Sequence, residues 1–188
     1  MSVEASETGQ LPATGVWTVD PMHSTVAFRV KHHAVGTFRG RFAEVEGSYD
    51  AAAGTLSGTA RVESVQVPIP MLREHLLKED FFDAERNPEI TFVSTSVVAE
   101  EGALSVEGDL TLRGVTKRVE ATGTIAGPSR VGHPDGTVHD HIGMDLDLTI
   151  DRRDFGVNFN NELVDGRLNL GWDVGLEFAL ELSSPVEG

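Results

Sequence analysis

The sequence predicts an all-β domain of roughly eight antiparallel strands with a single short helix. Alternation is the first reason: Leu168, Leu170, Trp172, Val174, Leu176, Phe178, Leu180 and Leu182 take every second position near the end of the chain, against a face carrying Arg167, Asn169, Asp173, Glu177 and Glu181. Twenty glycines and eight prolines in 188 residues supply the reversals that many short strands need. Helical spacing is convincing in one stretch only, which opens at Met71.

In chain order, residues 1–14 are small and polar and predict a disordered tail. The folded domain is expected over 15–183, with 184–188 as a second short tail. Val16 and Trp17 open the first strand. Between Ser24 and His32, Val26, Phe28 and Val30 alternate with Thr25, Arg29 and Lys31, which predicts a strand with one buried face. The pattern breaks at Gly36, resumes from Phe42 to Tyr49, and turns at Asp50–Gly54. Leu56, Ala60 and Val62 then carry an inward face. Pro68 and Pro70 lead into the helical stretch, where a missing N–H is tolerated best, and Asn87-Pro88 closes it. Leu72 and Leu76, four apart with Met71 and Leu77 beside them, make its apolar stripe. A helix of about ten residues is too short to persist alone in water and must dock. The pair Phe81-Phe82 just beyond it points to a cap over the mouth of the β-structure or to an ordinary packing helix.

Glu89 to Val98 is a strand ended by Glu100-Glu101-Gly102. Leu104, Val106, Leu110 and Leu112 alternate with Ser105, Glu107, Asp109 and Thr111, and Arg113-Gly114 reverses the chain. Val115, Val119, Ala121 and Ile125 share the next inward face. Gly127 to His139 has the composition of a loop. Ile142, Met144, Leu146, Leu148 and Ile150 then face one way while Gly143, Asp145, Asp147, Thr149 and Asp151 face the other, and Asp165-Gly166 offers a further turn. These strands build either a sandwich or an up-and-down barrel, and a barrel of eight strands is either filled by side chains or holds one slender ligand.

A formal charge of −15 argues against nucleic acid or an anionic membrane surface as a partner and favours a self-repelling monomer or a small oligomer such as a homodimer. Without cysteine there are no disulfides, no thiolate catalysis and no cysteine metal site. The N-terminal residues lack an apolar stretch of the secretory type and no run reaches the length of a membrane span, so a cytoplasmic location is expected.

Six separated stretches resemble the YceI-like family of lipocalin-like lipid-binding proteins. They are Trp17-Thr18-Val19-Asp20-Pro21 with His23-Ser24; Phe28-x-Val30-x-His32; Arg73-Glu74-His75-Leu76 with Asp80-Phe81-Phe82-Asp83; Asn87 to Ser94; Gly108 to Lys117; and Arg152 with Asp154-Phe155-Gly156. They occur in the family's order over about residues 16–182. The resemblance implies an eight-stranded antiparallel barrel with a helix at one end and an elongated apolar cavity holding an isoprenoid, an isoprenoid quinone or a fatty-acyl chain. Val65-Gln66-Val67-Pro68 departs from the Ile-Asp-Thr-like segment usual in relatives, Glu74 stands where Asp is usual, and the Gly127–His139 loop is long.

The aromatics Phe28, Phe38, Phe42, Phe81, Phe82, Phe92, Phe155, Phe159 and Trp172 either pack a core or line a tunnel, and the resemblance favours the tunnel. Inward-facing Val30, Leu110, Leu112, Met144 and Leu146 join them as candidate lipid contacts. Arg73, His75 and His32 are candidates for meeting a polar head at the mouth; an ion pair between Arg73 and a neighbouring carboxylate is the plainer alternative. His139 and His141 share a strand face with His133 nearby, but spacing defines no third ligand, and no metal is expected. Hydrolase, metalloprotease, P-loop and dinucleotide signatures are absent. His23 and Ser24, as strand neighbours, point to opposite faces, and Asp145 and Asp147 lie on the polar face. The expected function is storage or transport of a long apolar lipid without a cofactor or catalysis. The alternative is an enzyme or stress-response sensor using the same pocket on a smaller amphiphile.

Overall fold

The computed structural model describes residues 9–186. In order it holds β1 (Val16–Val19), β2 (Thr25–His32), β3 (Gly36–Phe42), β4 (Val45–Asp50), β5 (Thr55–Arg61), β6 (Val65–Gln66), α1 (Pro70–Leu76), β7 (Glu89–Glu100), β8 (Ala103–Leu112), β9 (Val115–Gly132), β10 (Val138–Asp151) and β11 (Leu170–Pro185). Short 3-10 turns at Val62–Ser64 and Arg152–Phe155 follow β5 and β10.

The eleven segments make eight strands. β1 pairs with β4 and β2 with β3, yet both pair with β11, so β1 and β2 are two halves of one bent strand. In the same way β4 continues β3 and β6 continues β5, since β5 pairs with β4 while β6 pairs with β3. From β5 the ladder runs through β7, β8, β9, β10 and β11 back to the first strand, all antiparallel. A closed up-and-down barrel results, which leaves no long edge to be covered. The break between β1 and β2 comes at Pro21, which lacks the N–H a ladder needs. Continuity with β11 is kept around it: Asp20 N–H donates to Glu181 O at 2.8 Å, and Glu181 N–H donates to the Ser24 hydroxyl at 3.0 Å.

The register shows which end is which. β11 begins with Leu170 opposite His32 and, near its other end, sets Leu182 opposite Val19 and Ile142. The Leu182 end is solid, with Trp17, Tyr49, Leu104 and Ile125 packed around Ile142, Met144 and Leu182, each at most 1 % exposed among the last three. The His32 end is covered by α1 and the segment after it. Pro70 sits in the first turn, and Arg73 fixes the helix by donating to Val65 O at 3.1 Å and to Glu63 O. Leu76 is buried while Met71 is exposed. Outside, cross-strand ion pairs such as Arg29–Asp147 (3.0 Å) and Arg118–Asp109 (2.9 Å) answer the acidic faces.

Several expectations change. The helix has seven residues rather than about ten. After it the chain folds back through Phe82 N–H to Leu76 O at 2.9 Å, with Asp83 in left-handed backbone. Gly127–His139 is not a loop: β9 and β10 continue past it as a projecting hairpin reversed at His133–Thr137. The last strand starts at Leu170, not Leu168. Of the expected N-terminal tail, residues 1–8 lie outside the described residues, but Gly9 is buried and Leu11 packs on the main core. At the other end, residues 187–188 lie outside the described residues, while Val186 N–H donates to Val138 O at 2.9 Å. Among the described residues no helix is long and apolar enough to cross a membrane.

Candidate functional site

Between the packed end and the helical cap the barrel encloses a cavity of about 720 Å³. That lies within the range of pockets that bury most of a small ligand's surface. Its wall is nearly all carbon. Of the residues predicted to meet a lipid, Phe28, Val30, His32, Phe38, Phe42, His75, Phe81, Phe82, Phe92, Leu110, Leu112, Leu146 and Phe159 border the space.

The space stays open because two large rings lie over glycines. A Cβ built on Gly40 would come within 2.4 Å of the Phe28 ring, and one on Gly108 within 2.4 Å of the Phe92 ring. Gly40 stands directly opposite Phe28 in the ladder, so the ring rests on the wall instead of crossing the lumen. Phe82 comes down from the cap onto the same wall, 6.0 Å from Phe28 and 5.7 Å from Phe42 by ring centroid, both edge-on. A second aromatic group closes the mouth, where the His75 ring is 4.9 Å from both Phe81 and Phe159.

Four predicted residues do not border the cavity. Met144 faces inward but is wholly enclosed in the packed end. Phe155 is buried beneath the turn after β10. Trp172 is displaced by a bulge, since Gly171, Trp172 and Asp173 together oppose Lys31 alone. Its ring lies instead under two guanidinium groups, 4.4 Å from Arg152 and 4.9 Å from Arg153. Arg73 uses its donors on backbone carbonyls of β6 and the turn before it, so it anchors the cap, and among the described residues it has no carboxylate partner.

Sequence reasoning passed over the main polar group of the wall. Arg152 continues the inward parity of Leu146, Leu148 and Ile150, and that charge on an apolar face was the available sign. It is 4 % exposed and borders the cavity. Its Nε donates to Gly171 O, and its Nη1 donates to Val157 O and Phe159 O, each at 2.8 Å. Among the described residues its Nη2 is buried without a partner, and so is Asn169 Oδ1 on the same wall. Burial lowers the Arg152 guanidinium from its usual value. The adjoining Asp151 carboxyl is held down at about 2, chiefly by the Arg153 side chain.

His32 also borders this end and stacks on His33 with centroids 3.7 Å apart. Burial, then the neighbouring His33, push its pKa below 6.5. The unfolded chain therefore takes up this proton first as pH falls. Stability from neutral His32 is present above about 6.5 and is lost as pH drops through the folded value. His32→Gln is expected to flatten the fall of melting temperature below that pH; an unchanged slope would assign the acid sensitivity elsewhere.

The remaining histidines lie outside the barrel. His133, His139 and His141 gather on the projecting hairpin with ring centroids 5.0 to 6.4 Å apart, and His141 Nδ1 is 2.8 Å from Glu181 Oε1. Among the described residues the group with ligand atoms close enough to share an ion is Asp20, His23 and Glu181, where His23 already bonds Asp20 at 2.7 Å. Chelation with EDTA is expected to leave the melting temperature unchanged. A fall that zinc restores would establish a structural ion.

Residues 17–182 match the model of the YceI-like domain. The chain belongs to the YceI-like family. This YceI-like chain is 33 % identical over 177 residues to a UPF0312 protein of Staphylococcus aureus strain MSSA476, covering 89 % of this chain and 96 % of that protein. Among solved structures it resembles BcnA of Burkholderia cenocepacia, with 24 % identity, a TM-score of 0.70, and 87 % and 98 % of the two chains covered. It also resembles a polyisoprenoid binding domain from Saccharophagus degradans implicated in plant cell wall breakdown, with 17 % identity, a TM-score of 0.68, and 90 % and 98 % covered. These two likenesses show that the YceI-like barrel is a shared fold.

Proposed function

We propose that this YceI-like protein binds one long apolar chain, an isoprenoid or a fatty-acyl lipid, inside its barrel and holds it for storage or transport. The observation that carries this reading is the cavity of about 720 Å³ inside the barrel, with a wall that is nearly all apolar. The Saccharophagus degradans relative, described as polyisoprenoid binding, supports it from a neighbouring barrel. Each methylene moved from water to such a wall contributes about 0.8 kcal/mol, so chain length drives affinity. Freezing the chain's rotations offsets part of that gain. The reading is non-catalytic: the wall offers a guest hydrophobic contact along its length.

Native mass spectrometry of protein purified from its own organism, followed by solvent extraction, tests this reading. One lipid per barrel is the expected result. A barrel that emerges empty and, after delipidation, takes up no long-chain lipid would overturn it.

A further inference from the structure

We propose that Arg152 reads the head group of the guest, and that this head carries an anionic oxygen, a carboxylate or a phosphate, seated on Arg152 Nη2. The proposal rests on the reading of the cavity as a chain-binding site and adds which end of the chain goes where.

Arg152 is a cation removed from outside water, at 4 % exposure, on the wall of a nearly all-carbon cavity. Three of its hydrogen bonds are fixed by backbone carbonyls of Gly171, Val157 and Phe159, so the side chain has no freedom to turn back towards solvent. These contacts satisfy Nε and Nη1 and leave the charge without a counter-ion. Among the described residues no carboxylate lies within ion-pair distance of it, whereas the next residue, Arg153, is paired with Asp151. A buried cation is retained in proteins when it is paired and hydrogen-bonded. The atom left over, Nη2, lies just behind the cavity wall, covered even with the cavity empty, and an anionic oxygen admitted by a small shift of the lining side chains is what completes it. Because Nε and Nη1 are already used, the contact is to a single oxygen and not a two-pronged fork.

The same end supplies a second clue. Asn169 Oδ1 borders the cavity, is buried and lacks a donor. A carboxylate satisfies Nη2 alone, while a phosphate monoester carrying one proton, with a second pKa near ~6, offers an acceptor to Arg152 and an O–H to Asn169. Of the other head-group candidates near the cap, Arg73 is engaged by backbone carbonyls and the His75 ring by Asp80 at 3.1 Å, while burial holds His32 below its ordinary value, towards its neutral form. With the head at Arg152, the tail runs away from the cap towards the packed end.

The test uses the delipidated full-length protein and four probes with one chain: hexadecanoate, hexadecyl phosphate, methyl hexadecanoate and hexadecane. The anionic probes are expected to bind about tenfold or more tighter than the ester, as charge-assisted hydrogen bonds do, and the ratio of phosphate to carboxylate separates the two sources. Arg152→Met is expected to bring the anion-to-ester ratio close to one, and Arg152→Lys to restore part of it. Since Arg152 also ties down backbone, Asn169→Asp is the second variant. It leaves the three carbonyl contacts in place and sets a fixed carboxylate on the same wall, which is expected to lower the ratio while the melting curve stays sharp. If the wild type binds ester and anion equally, or both Arg152→Met and Asn169→Asp keep the full ratio, the head-group assignment is overturned and the cavity reading stands. If none of the four probes binds, the cavity reading falls with it.

Discussion

Val119→Trp is expected to leave the barrel folded and to weaken retention of a long apolar chain about fiftyfold. Val119 faces the cavity from β9, opposite Gly108, and is only half-buried although it lies inside the barrel. The room in front of it belongs to the cavity, so a larger ring there fills space instead of forcing the core apart. Displacing about three methylenes of a guest at about 0.8 kcal/mol each removes about 2.4 kcal/mol, or about fiftyfold in affinity. Gly40→Ala should act in the same direction without adding bulk to the lumen directly. Its new Cβ meets only the Phe28 ring and a Val67 methyl at 3.0 Å or less, so the ring swings off the wall into the guest's path. Lipid titration beside urea unfolding checks both variants. Unchanged affinity in Val119→Trp, with the fold intact, would mean that a guest does not use the barrel's middle.

Alternation made most of this architecture legible. Leu146, Leu148 and Ile150 on β10, and Leu176, Phe178 and Leu180 on β11, face inward as their spacing requires and border the cavity. Parity, however, reports a face and not a depth. Met144 and Leu146 look equivalent in sequence, yet the ladder places Met144 beside Leu180 and Ile125, in the packed end. Parity is also interrupted without notice by a bulge. Three residues opposite Lys31 shift Trp172 out of the series that continues from Val174 to Leu182. The hairpin beyond Gly127 misled for a different reason. Both of its faces meet solvent, so it has no need of the apolar alternation by which a buried strand announces itself. Arg152 was legible in principle, as a charge continuing an inward series, but the carbonyls that hold it, Val157 and Phe159 just downstream and Gly171 on β11, converge only once the turn after β10 has formed.

The largest loss of stability is expected from Leu182→Asp, and the contrast with the cap decides what α1 is for. Leu182 is fully enclosed, paired with Val19 and Ile142 where the barrel closes. A carboxylate there has no partner and no water, and the change is expected to destabilise by about 4 kcal/mol or more, a large share of the stability of a typical domain. Phe81→Asp strikes the other end. Phe81 lies beside Phe159 at 5.2 Å and His75 at the mouth and is only half-buried, so the barrel strands lose little when it goes. Its expected cost to folding is about 1 kcal/mol, with a faster lipid off-rate as the main effect. Phe82→Asp falls between them, because that ring also packs on Phe28 and Phe42 in the wall. The measurements are urea midpoints and lipid off-rates for all three variants. A Phe81→Asp protein that unfolds as readily as Leu182→Asp, and releases lipid no faster per folded molecule, would make the helical segment a structural plug with no part in retaining the guest.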